Sequence, residues 1–207
     1  VTAVRAGSTE GSGTSGTVGA GLAGAYGTLT LGSNGAYTYA IDESNATVQA
    51  LQSGQTLLDH FNYTVGDTDG GADIALLSIT IQGRNDAPTF TSDAATVTLT
   101  DTAAADSFVD QTGSVVGADV DSASKSYDIR GGSITGGTSS LTGLYGTLSI
   151  VTATGAWTYH PNAIAINALP TGVAGETFQF RITDTEGQAA LQTLTVTLAG
   201  DNDTPIN

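Results

Sequence analysis

Gly24-Ala25-Tyr26-Gly27-Thr28-Leu29 and, a few residues on, Gly35-Ala36-Tyr37-Thr38-Tyr39 return as Gly143-Leu144-Tyr145-Gly146-Thr147-Leu148 and Gly155-Ala156-Trp157-Thr158-Tyr159. Large apolar and aromatic residues alternate with threonine in both phrases, the period-two pattern of a half-buried strand. Ser33-Asn34-Gly35 and Thr152-Ala153-Thr154-Gly155 read as the tight turns that fold each pair of phrases into a hairpin. Working outward, Phe61-Asn62-Tyr63-Thr64-Val65-Gly66-Asp67 recurs as Phe178-Gln179-Phe180-Arg181-Ile182-Thr183-Asp184. Gly83-Arg84-Asn85-Asp86-Ala87-Pro88 recurs as Gly200-Asp201-Asn202-Asp203-Thr204-Pro205. The copies lie about 117 to 120 residues apart, the length of one domain. A chain that duplicates a whole domain needs length, valency or spacing more than it needs a unique pocket.

The same alternation runs through Leu77, Ile79 and Ile81, through Val97 and Leu99, and through Leu194, Val196 and Leu198. One segment per copy breaks it. Ser44–Leu51 and its counterpart Asn162–Leu169 each read as a short helical turn, the first capped by Ser44 or Asn45. Short strands rich in Thr, Val, Ile and aromatics, with frequent turns, point to an all-β fold. The expected architecture is two tandem antiparallel β-sandwiches of immunoglobulin-like or cadherin-like type. The expected divisions are 1–86, 87–203 and the start of a further linker at 204–207. Val4-Arg5-Ala6-Gly7 aligns with Ile129-Arg130-Gly131-Gly132, so copy one has no equivalent of Thr96–Thr100 and Gly113–Gly117, which read as the first two strands. The first sandwich is therefore expected to lack its N-terminal strands. Either Val1 is an arbitrary cut in a longer chain, or another chain supplies the missing strands by β-strand addition.

Twenty acidic residues stand against five basic ones in 207 residues, a net charge of −15. That balance argues against nucleic acid, whose phosphates need clustered Lys and Arg. Cysteine is absent, so neither disulfides nor thiolate metal sites hold the fold. No apolar run approaches a membrane span, so no membrane insertion is expected. His60 and His160 stand apart from any second histidine, and neither a Gly-x-Ser-x-Gly elbow nor a phosphate-binding loop is present. The chain is read as a non-enzyme. Tyr26, Tyr37, Tyr39, Trp157 and Tyr159 recur in both copies and are expected to pack within the sandwich or along its flank rather than to form a sugar platform. The acidity serves solubility on one reading. On the sharper reading it serves a divalent cation, because the acids gather in Asp-x-Asp and Asn-Asp clusters beside Gly or Pro.

The string from Tyr26-Gly27-Thr28-Leu29 through Asn34-Gly35-Ala36-Tyr37, Phe61-Asn62-Tyr63-Thr64-Val65 and Ile79-Thr80-Ile81 to Gly83-Arg84-Asn85-Asp86-Ala87-Pro88 resembles a VCBS repeat. Such repeats belong to very large bacterial surface proteins, often RTX-type adhesins. The resemblance implies an extender module that holds a binding domain away from the cell. The Asn85-Asp86 pair before Pro88 is similar to the calcium-binding linker of cadherins, and Asp119-Val120-Asp121 to the Asp-x-Asp loop of the cadherin domain that follows it. The resemblance implies Ca²⁺ held by Asn85, Asp86, Asp119, Asp121 and Asp184, with Glu186 nearby. Half-sites fall at Asp67 and Asp69 and at Asp201 and Asp203. Physical chemistry agrees: Ca²⁺ takes six to eight oxygens from carboxylates and carbonyls, and the loops in question belong at one end of such a sandwich. The alternative is that each cluster is turn chemistry, Asp and Asn bonding their own backbone.

The leading expectation is thus a structural extender of a secreted bacterial surface adhesin, stiffened by calcium at its linkers and partnered by neighbouring repeats. Two others stand beside it: a filament subunit joined to other copies of itself through an open sheet edge, and a glycan- or protein-binding module.

Overall fold

The computed structural model describes residues 1–202, and it divides into two compact units, Val1–Asn85 and the chain from Asp86 onward. The first unit contains β1 (Ala3–Ala6), β2 (Thr14–Gly16), β3 (Gly21–Ala23), β4 (Gly27–Leu31), β5 (Tyr37–Ile41), α1 (Ala46–Gln49), β6 (Thr56–Gly66) and β7 (Ala72–Gln82). One sheet runs β2-β1-β6-β7 and the other β3-β4-β5, all antiparallel. Alternation places Leu29 and Leu31 of β4 and Phe61 of β6 inward, where they close with Val4 and Leu22 into a core of five buried side chains. The Asn45 side chain caps α1 by accepting from the Thr47 and Val48 amides.

The second unit contains β8 (Thr89–Phe90), β9 (Thr96–Thr100), β10 (Gln111–Ser114), β11 (Gly117–Ala118), β12 (Ser126–Ile129), β13 (Ser133–Thr135), β14 (Thr138–Thr142), β15 (Gly146–Val151), β16 (Ala156–Pro161), α2 (Ala163–Asn167), β17 (Gly172–Thr183) and β18 (Ala189–Gly200). Its sheets are β12-β17-β18-β9 and β10-β16-β15-β14-β13, with a small β8–β11 ladder. The β9–β18 pairing is parallel; the others are antiparallel. Sixteen buried side chains form this core. They include Ile166 of α2, whereas α1 of the first unit buries no side chain.

The fold is two tandem β-sandwiches built on one plan. β1 faces β6 with Val4 opposite Tyr63, and β12 faces β17 with Ile129 opposite Phe180, so the alignment of Val4 with Ile129 holds in register. Two differences separate the units. β2 pairs with β1, whereas β13 pairs with β14. More important, β8 to β11 have no counterpart in the first unit, so among the described residues the outer edges of β5 and β7 carry no strand. The aromatic expectation splits on this point. Trp157 lies under β10 and is 7% exposed, whereas Tyr37, the same position in the first unit, is 53% exposed because nothing covers β5.

Candidate functional site

At one end of the second unit the chain enters through Asp86 and meets two loops, Asp119–Ser122 after β11 and Asp184–Gln188 between β17 and β18. Asp119 Oδ1 accepts the Asp121 and Ser122 amides at 3.2 and 3.1 Å, a turn in which the side chain replaces a backbone acceptor. The Asp86 amide donates to Asp121 Oδ2 at 3.0 Å and so ties the entering chain to that loop. The buried Ser122 hydroxyl lies 3.1 Å from the Thr185 hydroxyl, which joins the two loops to each other. Asp184, also buried, closes its hairpin by accepting the Glu186 and Gln188 amides at 2.9 Å each.

The electrostatics of this end are unfavourable in the bare protein. Burial, and after it the neighbouring Asp121 carboxyl, push the Asp119 carboxyl above its ordinary range, outweighing the two amides that favour its charge. Asp119 Oδ2 is buried and accepts no hydrogen bond. A buried carboxylate oxygen facing a second carboxylate, with no donor on it, is the chemistry that a hard cation neutralises. In that respect the residues present fit Ca²⁺. Side chains alone do not complete a shell, since among the described residues no three His, Cys, Asp or Glu side chains are gathered closely enough to hold a metal.

The other expected ligands are placed as follows. Asn85 closes the first unit, buried, with its amide on the Ser53 hydroxyl at 3.2 Å. Asp67 and Asp69 are exposed at the β6–β7 turn, where Asp67 Oδ1 accepts the Asp69 and Gly71 amides at 3.0 and 2.7 Å. This is the turn of Asp184 repeated. Asp201 follows β18 at the opposite end of the second unit from Asp184. Its amide donates to buried Asp101 and its carboxylate accepts from the Thr171 hydroxyl. Asp203 lies outside the described residues.

Two carboxylates absent from the sequence reading organise the repeat itself. Asp59, 2% exposed, accepts the Ala25 and Tyr26 amides at 3.0 and 3.1 Å and the Tyr39 hydroxyl at 2.7 Å. Glu176 accepts the Leu144 and Tyr145 amides and the Tyr159 hydroxyl, the last at 2.7 Å. Both tyrosine hydroxyls are raised far above their usual range, by burial first and then by the carboxylate they bond. The clasp explains the opening glycine of each Gly-x-Tyr-Gly phrase. A Cβ on Gly24 would sit 2.2 Å from Asp59 Oδ2, and one on Gly143 would sit 2.1 Å from Glu176 Oε2. The signal was available: an acid on the inward phase of a strand, two residues before a core phenylalanine, in both copies.

The model of the bacterial cadherin-like domain family matches residues 85–200, more than half of the chain. No curated protein matches the chain. Among solved structures, the protocadherin gamma B2 extracellular domains 1–5 are similar at 14% identity and TM-score 0.44, with 88% of this chain and 33% of that one covered. Domains 3–6 of the same protein match at 14% identity and TM-score 0.39, covering 88% and 43%. Domains 1–3 of mouse clustered protocadherin gamma C3 match at 14% identity and TM-score 0.41, covering 89% and 56%. The chain thus spans between a third and somewhat over half of the length of these solved chains.

Proposed function

Since the chain belongs to the bacterial cadherin-like domain family, we propose that it is an extender segment of a secreted bacterial surface adhesin, in which successive sandwiches give reach and Ca²⁺ fixes the loops where the chain enters a unit. The observation that supports this reading is duplication of the framework rather than of a pocket: the same clasp, capped helical turn and Asp-closed hairpin are built twice. Such a segment acts by reach and orientation and performs no reaction. No helix among the described residues is long and apolar enough to cross a membrane. Burial removes Trp157 and Tyr159 of the second unit from any sugar platform, whereas Tyr37 of the first unit is exposed.

Asp119 and Asp121 are the side chains that would hold the cation; among the described residues Asp86, Asp184 and Glu186 are not gathered with them into one cluster. Backbone carbonyls and water would complete its shell. The ion would supply positive charge beside the Asp119 and Asp121 carboxylates. The protein's part is to bring the two loops together through Ser122 and Thr185 and to bind the incoming chain through the Asp86 amide.

The test is a thermal melt followed by the emission of Trp157, the single tryptophan, which lies in the second unit. A ligand of the folded state stabilises it by about 2.7 kcal/mol at a hundredfold excess over Kd. Millimolar Ca²⁺ is expected to raise the midpoint, EDTA to reverse the rise, and Mg²⁺ to have little effect. An unchanged midpoint across that series removes the calcium part of the proposal.

A further inference from the structure

Between β9 and β10 the chain of the second unit crosses from one sheet to the other. Two contacts pin this crossing on either side of Ser107 and Phe108. On one side the Asp106 amide donates to Asn167 Oδ1 at 3.2 Å, and Asn167 Nδ2 donates back to the Asp106 carbonyl at 3.0 Å. On the other side the His160 imidazole bonds the Asp110 carboxylate through Nδ1. The crossing forms one wall of a recess of about 500 Å³, whose other walls come from β14, β15, β16 and the start of α2.

Phe108, Pro161 and Ile164 give the recess an apolar surface, and Ile164 is 86% exposed at its mouth. Thr142, Thr147 and His160 give it a polar one. The two threonine hydroxyls lie 3.1 Å apart and keep lone pairs to spare. With Nδ1 held by Asp110, His160 has Nε2 left for a ligand. No Lys or Arg stands among the lining residues. The sandwich itself does not call for these polar groups. Strand register places Ala23, Thr28 and Ala40 of the first unit where Thr142, Thr147 and His160 stand in the second. The framework residues beside them recur, Gly24 as Gly143 and Tyr39 as Tyr159. The second copy thus carries a hydroxyl and an imidazole where the same strands are built elsewhere with alanine.

We propose that this recess binds one pyranose ring of a neutral glycan. A pyranose has an apolar C–H face and an edge of hydroxyls. Phe108, Pro161 and Ile164 cover the face, and Thr142, Thr147 and His160 bond the edge. A largely apolar lining with a few converging polar groups is the usual build of a small-ligand site, and about 500 Å³ lies within the usual size. A phosphate or carboxylate ligand is disfavoured, since the lining offers no guanidinium or ammonium to pair with it. The two contacts that pin the crossing keep the wall formed before a ligand arrives, which lowers the ordering cost of binding. The inference goes beyond the extender reading and does not use the cation.

The probes are the methyl glycosides of glucose, galactose and mannose, added one at a time to the 207-residue chain in EDTA. Two NMR readouts apply: saturation transfer from protein to sugar, and the ring-proton shifts of the two histidines. At about 1 mM glycoside, enough to half-fill a site of millimolar Kd, at least one of the three is expected to receive saturation and to move His160 saturably. His60, in the first unit, is expected to stay still. Methyl glucuronide is expected to give neither signal. With a trisaccharide of the preferred sugar, saturation is expected to concentrate on one ring. Thr142→Ala with His160→Ala installs the first unit's residues and is expected to weaken binding about tenfold. Ile164→Ser, at an exposed position that the core does not use, is expected to weaken it as well. No transfer from any of the three sugars at any soluble concentration overturns the proposal. So does unchanged transfer in these variants, equal binding of the glucuronide, or saturation spread evenly over the trisaccharide. Because Ca²⁺ is excluded throughout, failure here and failure of the calcium reading are separate results.

Discussion

Asp59 and Glu176 occupy the inward phase of a strand, where the alternation otherwise places Phe61 and Phe178. Each is tolerated there because two amides and a phenol converge on it. Removing the carboxylate leaves those donors without an acceptor, and hydrogen bonds to a charged group are the strong ones. Glu176→Ala is expected to destabilise the second unit by about 2–4 kcal/mol, and Glu176→Gln, which keeps an acceptor, by less; urea unfolding followed by Trp157 emission measures both. Asp119 behaves in the opposite sense. Its carboxyl is raised in the folded state, so at neutral pH it detracts from stability. That penalty is complete above the raised folded value and fades as pH falls through it toward the unfolded value of about 3.9. In EDTA, Asp119→Asn is therefore expected to raise the midpoint of the second unit and to flatten this part of its pH dependence. In Ca²⁺ the same variant is expected to lose the cation's stabilisation. If Asp119→Asn lowers the midpoint in EDTA, Asp119 is a turn residue whose second oxygen carries no strain.

At the scale of elements, what the sequence revealed and what it hid have separate causes. Leu29 and Leu31, Leu148 and Ile150, and Phe178, Phe180 and Ile182 show the strand period plainly, because each strand buries one face against a second sheet. The two short helices were legible through Asn45 and through the break in alternation at Asn162. The clasps left only half their pattern in the sequence, an acid two residues before a core phenylalanine, because the amides that bond it come from a distant turn. The exchange of partners between β2 and β13 was equally hidden, since both are three-residue strands with little apolar pattern to fix their register. The candidate cation loops were legible as Asp-x-Asp beside Gly, but turn and ligand chemistry use the same residues, and only the buried Oδ2 of Asp119 separates them. The absence of two strands was visible as a gap in the alignment, and its effect is measured by Tyr37 against Trp157. Gly113→Val tests the role of β10 directly. The added side chain collides with the indole, so β10 is expected to lift and Trp157 to gain solvent exposure. A red-shifted emission of the folded protein and a loss of about 3–5 kcal/mol, the scale of removing a large core aromatic, are the expected readings; unshifted emission would mean that another element covers the indole.

For the whole molecule, the disparity between five and sixteen buried side chains sets the order of events. Buried apolar area is the main stabilising term, so the first unit is expected to unfold at lower temperature than the second. Calorimetry should show two transitions, with Trp157 emission following only the upper one and Ca²⁺ moving only that one. The parallel pairing of β9 with β18 has a further consequence when the chain bears tension. β9, the first long strand of the second unit, and β18, its last strand, lie side by side and point the same way, with five residues of each in register. A pull on the two ends slides these strands past each other, so their bonds must break together rather than peel in sequence.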